Sequence, residues 1–399
     1  MNSDAIEVRS VENREELEGV YDILDKVFPN GKHFFQQRLD YDQTYSFSTT
    51  WIAKCDGQLA STVQIFPFHC RIEDVEIKVG GLGSVATLPE YRGRRLCQKI
   101  LNRQTEWMSE QGFDLSLLFA VITPFYEKLG WNVVPEPVYA IKSALVPPVQ
   151  LQTEYEIISF HSDYIEAMSD MYAAFNRNRS YSVARPESFW RDQLQWPRWE
   201  TSACLIALKN GRPAAYGQIS KTMEGRAHIE ELIYLAGDEK AAVPLFQSLM
   251  QLRPDAVDIH AKLPSDHVLI NALTEWGAQQ QLIQYAMWKV IGLYPLLKKM
   301  TGVFTRRLQQ SGEYGNKNCC LRITCGSQHA YLNIASGTVS VELHAQSHIA
   351  YNELELSQEK FITYLFQGAD EASSMTSHSK LLQALFPKQP FVFYVTDKF

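Results

Sequence analysis

Along the first 140 or so residues, apolar positions follow two rhythms: a period of two that predicts strands and a period near 3.6 that predicts helices. "IEVRSV" reads as a strand, and Glu15 to Val27 as a helix with Leu17, Val20, Tyr21, Leu24 and Val27 on one face. "TWIAKC" and "QLASTVQIFPFHCRI" flank Asp56-Gly57, a strong hairpin turn signal. "VEIKVGGLGSVATL" predicts another strand, followed by a helix with Leu96, Ile100 and Trp107 on one face and by "FDLSLLFAV" as a buried strand. "TPFYEKLGW" predicts a short helix with Thr123 as N-cap, Pro124 at the first helical position and Gly130 as its stop. The stretch "VVPEPVYAIKSALVPPVQ", with four prolines, reads as a joint between domains.

From about Glu154 the order begins again. "YEIISF" is a strand, "DYIEAMSDMYAAF" a helix, and "ACLIALKNGRPAAYGQIS" a hairpin around Asn210-Gly211. "HIEELIYLAG", the helix "AAVPLFQSLMQL", "AVDIHAKL" and "INALTEWGA" complete what looks like an internal duplication. Past about Gly292 the texture changes to the short strands "CCLRITC", "HAYLNIA", "TVSVELH" and "NELEL". A helix "SQEKFITYLFQG", a second helical piece and a last strand "FVFYVTDKF" follow. The expected fold class is therefore α/β and α+β: two tandem mixed-sheet domains, 1–150 and 151–292, then a small α+β domain, 293–399.

Composition narrows the classes. With 45% hydrophobic and 21% charged residues the chain is globular, and its net charge of −7 argues against a nucleic-acid partner. Seven scattered cysteines without a CxxC pair fit a reduced, cytoplasmic protein and no zinc site. No apolar stretch has membrane-spanning length, and "MNSDAIEVRS" does not look like a signal peptide, so no membrane association is expected. His344 and His348 lie four apart in strand-like sequence and read as surface residues rather than metal ligands. No HExxH, Walker loop or nucleophile-elbow serine appears, so no metal is expected.

The candidate chemistry lies in "SVATLPEYRGRRLCQKIL", Ser84 to Leu101, where a strand hands over to a helix through Arg92-Gly93-Arg94-Arg95. A helix start exposes four backbone N–H groups without intrahelical partners, and its dipole favours anions. Three arginines at such a turn are suited to phosphate. Read without further context, the same turn is a solvated basic helix start.

Together with "PFYEKLGW", this turn resembles the GCN5-related N-acetyltransferase (GNAT) superfamily, whose diphosphate loop is Gln/Arg-x-x-Gly-x-Gly/Ala after a strand ending in Pro. Leu88-Pro89-Glu90-Tyr91-Arg92 matches the approach and the first position, while Arg95 replaces the first glycine and Cys97 the second small residue. Arg95 adds bulk where a diphosphate approaches, unless the turn is already right-handed helix, in which case its Cβ points away. The resemblance implies acetyl-CoA as cosubstrate, held by Val85, Ala86 and Thr87 of the strand and by Arg92, Gly93, Arg94, Arg95, Leu96 and Cys97 of the turn. It also implies Tyr126 as the acid that protonates the departing thiolate. Gly80, Gly81 and Gly83 would permit a bulge or close approach by a ligand.

Two such domains before a small α+β domain ending in a free Phe are similar to the enhanced intracellular survival (Eis) group. That likeness implies a sterol-carrier-like last domain and a catalytic role for the carboxylate of Phe399. It further implies a small-molecule amine acceptor, aminoglycoside- or polyamine-like, in a large acidic pocket, and a homo-oligomer, possibly a hexamer. In the second copy "LAGDEKAA" stands in place of "LPEYRGRR", with Glu239 near the position of Arg92 and Leu273 opposite Tyr126. This copy is expected not to bind CoA and to wall the acceptor pocket instead. Two other readings stay open: a noncatalytic carrier of CoA or lipid, and a protein lysine acetyltransferase.

Overall fold

The structure is a computed structural model describing residues 5–149, 154–201, 203–312, 318–345, 351–369 and 379–399. In the first half lie β1 (Ile6–Ser10), α1 (Arg14–Val27), α2 (Lys32–Asp40), β2 (Thr50–Cys55), β3 (Gln58–Ile72), β4 (Val75–Thr87), α3 (Leu96–Glu110), β5 (Leu115–Phe119), α4 (Thr123–Glu127) and β6 (Asn132–Val133). β7 (Glu136–Lys142) closes the first half, and the second half holds β8 (Glu156–Ser159), α5 (Ile165–Phe175), α6 (Glu187–Asp192), α7 (Pro197–Thr201), β9 (Ala203–Lys209), β10 (Arg212–Ile219), β11 (Arg226–Tyr234), α8 (Ala242–Gln251), β12 (Asp258–Ala261), α9 (Leu269–Glu275), β13 (Gln279–Ile283) and β14 (Ala286–Val290). The last part comprises α10 (Leu293–Lys299), α11 (Thr301–Ser311), β15 (Asn318–Cys325), β16 (Gln328–Ala335), β17 (Thr338–Glu342), β18 (Tyr351–Leu356), α12 (Gln358–Gln367) and α13 (Ser379–Leu385).

Two seven-stranded sheets repeat one plan, β1-β2-β3-β4-β5-β14-β6 and β8-β9-β10-β11-β12-β7-β13, and a four-stranded sheet β17-β16-β15-β18 follows. The sixth place in each large sheet is filled from the other half. β14 runs antiparallel to β5, from Ala286 opposite Phe119 to Val290 opposite Leu115. β7 sits between β12 and β13 in return. The proline-rich stretch read as a joint therefore carries a buried strand across it, anchored by Val138, Tyr139 and Ile141. Pro137 is tolerated because it lies at the second residue of β7, where only β13 pairs with it. Division at 150 and 292 follows chain order, while the sheets exchange strands across it.

Burial explains the local choices. Asn13 caps α1 by accepting the Glu16 N–H, and Leu17, Val20, Tyr21 and Leu24 face inward as the period predicts. Helix α2, to which the pattern gave no element, buries only Leu39, too little for an apolar stripe to show. Likewise α10 and α11 precede the strands expected directly after Gly292; Leu293, Leu296, Leu297, Val303, Phe304 and Leu308 bury them. One apolar cluster runs from Ile77, Val79, Leu115 and Leu117 of the first sheet into Leu321, Ile323, Leu332 and Phe361 of the last. The last sheet thus shares its core with the first half.

The expected last strand is absent. Phe391 makes one isolated bridge to Ser180, and the chain then enters a single turn at Val395–Asp397. The alternation in "FVFYV" instead feeds two cores: Phe393 joins the first-half cluster, whereas Val392 and Tyr394 join that of the second half. Among the described residues no helix is long and apolar enough to cross a membrane.

Candidate active site

Strand β4 pairs in parallel with β5 only from Val79 opposite Leu115 to Leu82 opposite Leu118. Beyond Leu82 it continues to Thr87 without that neighbour, which opens the sheet. On its other side the register with β3 shifts between Thr62 and Gln64, and Ser84 takes a left-handed φ of 50°. That bulge re-aims the strand before Val85. Val85 and Thr87 are half-buried and Ala86 is buried. Ser61 Oγ donates to the Ala86 carbonyl at 2.8 Å and meets Thr87 Oγ1 at 2.8 Å.

The glycines here admit close neighbours from the protein itself. A Cβ on Gly81 would overlap the ring of Phe399, and one on Gly83 would stand 3.0 Å from the Phe66 ring and 3.3 Å from that of Phe399. A Cβ on Gly80, on the opposite face, would strike Met108 of α3. The close approach read as room for a ligand is made by the C-terminal residue.

The turn after β4 leads to an open helix start. Gly93 has φ 80° with nothing within 4 Å of the place a Cβ would take, and Arg95, the residue before α3, has φ 58° and ψ 28°. The right-handed alternative for Arg95 is thereby excluded, and a bulky residue holds a conformation that favours glycine. No side chain caps α3, and Arg92, Gly93, Arg94 and Arg95 are exposed while Leu96 is buried and Cys97 half-buried. Arg92 Nε reaches the Thr87 carbonyl at 3.4 Å, and Arg94 lies over the Tyr91 ring at 5.3 Å. A helix start so arranged presents N–H groups, a favourable dipole and guanidinium groups to an anion. The donor set fits a diphosphate.

Tyr126 lies on α4, which starts at Thr123 with Pro124 in its first turn and makes no side-chain cap bond, so Thr123 is not the N-cap. Gly130, with φ 91°, stops it as the sequence suggested. The Trp131 N–H donates back to the Tyr126 carbonyl at 3.1 Å, while Lys289 Nζ and Gln358 Nε2 hold the carbonyls of Leu129 and Gly130 at 2.8 and 2.5 Å. Tyr126 and Cys97 pack on the same apolar cluster between α3 and the sheet. Burial pushes the Tyr126 hydroxyl up to about 12, with a further push from Cys97, and burial pushes the Cys97 thiol to about 12 as well.

On the Phe399 face of β4 lies a cavity of about 510 Å³ between the two halves. Its aromatic lining includes Phe66, Phe68, Phe189, Trp196 and Phe399. The Phe399 ring stacks on Phe66 at 5.2 Å and packs on Phe68 and Phe119 at 5.9 and 5.6 Å. Four carboxylates, Asp42, Glu76, Asp192 and Asp397, stand in the cavity against three arginines, Arg38, Arg71 and Arg185. Arg38 pairs with Asp42 at 2.8 Å and lies over Trp196 at 3.9 Å.

The tail is fixed by a cluster that sequence reading missed. Arg185 pairs with Asp397 at 2.7 Å and with Glu231 at 2.5 Å, all with side chains 1% exposed. Thr396 Oγ1 and Tyr216 Oη donate to the same Glu231 carboxylate. One guanidinium serves two carboxylates, so burial raises the Asp397 pKa although Arg185 opposes it. These residues are far apart in sequence and no local pattern marks them.

The second copy departs from the first at both chemical positions. Glu239 Oε1 accepts the Gly237 N–H at 2.9 Å, so the corresponding turn carries its own carboxylate. Leu273 on α9 is fully buried. His344 is exposed and His348 lies outside the described residues. Among the described residues none of the seven cysteines is bridged and no group of side chains is suited to a metal ion.

Residues 7–134 match the family described as acetyltransferase (GNAT) domain. The first third of the chain thus matches a GNAT acetyltransferase domain, which makes the protein an acyltransferase and implies acetyl-CoA as its acyl donor. Over the whole length the fold is similar to a probable N-acyltransferase from Enterococcus faecalis V583, with TM-score 0.76, 18% identity, and 98% of this chain and 100% of that one covered. A GCN5-related N-acetyltransferase from Kribbella flavida gives TM-score 0.75 and 15% identity, covering 99% of both chains. Eis1 from Mycobacterium abscessus gives TM-score 0.66 and 13% identity, covering 97% of this chain and 99% of that one. No curated protein sequence matches significantly.

Proposed function

We propose that this chain transfers an acetyl group directly from acetyl-CoA to a primary amine of a small molecule held in the cavity between its halves. The observation that carries the reading is β4, which leaves β5 after Leu82 and leads to the uncapped start of α3. In this reading the turn Arg92–Arg95 and the first amides of α3, at Leu96 and Cys97, hold the diphosphate. The backbone of Val85 to Thr87 holds the pantetheine and polarises the thioester carbonyl, which is what acetyl-CoA supplies.

Tyr126 protonates the leaving sulfur. In water a phenol near pKa ~10 facing a thiolate near ~8.5 would be uphill by about 2 kcal/mol. Burial raises both partners here. Cys97 packs on the same apolar cluster as Tyr126, and the desolvation that raises both groups acts in the same direction on a thiolate leaving there, which makes its protonation less uphill than in water. The carboxylate of Phe399, with an intrinsic pKa of ~3.3 to 3.7, serves by attracting and orienting the ammonium form of the acceptor rather than as a strong base.

The cavity favours a cationic amine with an aromatic or apolar body, because its four carboxylates outnumber its three arginines and much of its wall is rings. Homo-oligomer formation is part of the same proposal and is read by light scattering. The carrier reading is less favoured, since Leu321, Ile323, Leu332, Val341 and Phe361 fill the interior of the last domain with side chains no more than 1% exposed.

The test is thiol release from acetyl-CoA over a panel of aromatic monoamines, polyamines and aminoglycosides, alongside calorimetric titration of acetyl-CoA. Binding without turnover on any amine would refute the acceptor class. Absence of acetyl-CoA binding would refute the cofactor site itself.

A further inference from the structure

On the other side of the C-terminal tail lies a second cavity, of about 710 Å³, that the acetyl-transfer reading does not use. It opens along β11 and β12, the partner strands of the second sheet, with His228 opposite His260 in register. Arg198, Lys221, Arg226, Lys262 and Lys398 line it, against the carboxylates of Glu224 and Glu230. Arg198 pairs with Glu230 at 3.2 Å, and Lys262, only 5% exposed, pairs with Glu136 at 2.6 Å. Counting Glu136, five basic side chains face three carboxylates among the described residues, an excess of about two positive charges once Lys398 is protonated.

Groups on three segments respond to that positive field. His228 is held down to about 4 by burial and by His260, Lys398, Arg226 and Arg198. His260 is lowered by burial and Arg226, against a smaller opposing effect of Asp258. Lys398 is held to about 7 by burial and Lys262, opposed by Glu136 and Glu230, and meets Tyr285 Oη at 2.5 Å. Apolar groups complete the wall, among them Phe34, Val138, Met223 and Ile283.

We infer that this cavity binds a small phosphomonoester with an apolar body. A dianion matches the excess of two charges, the lysines and arginines offer charge-assisted donors to its three oxygens, and the apolar wall receives the organic part. Such a ligand would contact Lys398, next to the terminal Phe399 of the acceptor cavity.

Phenyl phosphate is the probe, titrated into the full chain by calorimetry at pH 6.5 and low salt, where Lys398 is mostly protonated and the probe mostly dianionic, with benzoate as the monoanionic comparison. The expected Kd for phenyl phosphate is below about 1 mM, with benzoate at least about tenfold weaker. Arg226→Gln and Lys221→Gln, both at exposed positions, should each weaken phenyl phosphate about fivefold or more. The double variant Arg92→Gln with Arg94→Gln, which alters the acetyl-CoA turn, should leave it unchanged. No binding at about 10 mM, equal affinity for benzoate, or loss in the turn variant instead of the cavity variants would each overturn the assignment.

Discussion

The two turns at the ends of β4 and β11 share one backbone plan and differ in charge. Both belong to seven-stranded sheets of the same order, and both contain a left-handed glycine, Gly93 with φ 80° and Gly237 with φ 91°. In the first, Arg95 is also left-handed and no side chain caps the following helix. In the second, the Glu239 carboxylate already receives the Gly237 N–H. An internal anion and an external one compete for the same kind of donor, so we propose that the acidic turn of the second copy does not hold a diphosphate. The backbone plan is kept because the turn still links strand to helix.

The comparison breaks most visibly at Tyr126 and Leu273. Tyr126→Phe should lower kcat by about 10²- to 10⁴-fold with acetyl-CoA affinity little changed, measured by steady-state thiol release. Next comes Arg92→Glu, which gives the first turn the acid of the second. Each unit-charge pair near 4 Å is worth about 1 kcal/mol even at the permittivity of water, and reversal against a diphosphate counts several such pairs. The Kd for acetyl-CoA should rise about a hundredfold by titration calorimetry, about 3 kcal/mol.

A prediction of comparable size concerns the second half as scaffold. His267 is 2% exposed, its Nδ1 accepting the Leu269 N–H and its Nε2 facing the Leu232 carbonyl, each at 3.1 Å, which fixes the neutral ring. Burial holds its pKa near 4, with Arg179 lowering and Asp266 raising it slightly. The unfolded chain takes up this proton first as pH falls below about 6.5, so stability is present above that pH and is lost toward about 4. The loss at this site should reach about 3 kcal/mol, read as the difference from His267→Asn in urea denaturation across pH. The smallest effect is Arg95→Gly. Release of the left-handed strain should add about 1 kcal/mol of stability in the same denaturation assay, while loss of the cation weakens acetyl-CoA binding.

Much of this architecture was legible from period and punctuation. Asp56-Gly57 and Asn210-Gly211 lie at the hairpins expected of them, and the change from period two to period 3.6 at Leu96 places the helix start at the turn. Where the reading failed, the cause was tertiary. β7 looked like a linker because its prolines flank a strand completed only by partners in the second half. "FVFYV" looked like a strand because period two arises whenever alternate side chains enter different cores, with or without a ladder. Arg185, Glu231 and Asp397 were silent because three ordinary charges gain meaning only when folding removes water from all of them.

The exchange of β7 and β14 ties the timing of biosynthesis to the final shape. When residue 135 leaves the ribosome, the first sheet has every strand but its sixth, and that strand arrives only with residues 286–290. At roughly 5–20 residues per second the nascent half waits on the order of ten to thirty seconds with one edge of β5 unsatisfied. Phe399 emerges about a hundred residues after β14, so the wall over Gly81 closes later still. Until then that face of β4 stands open.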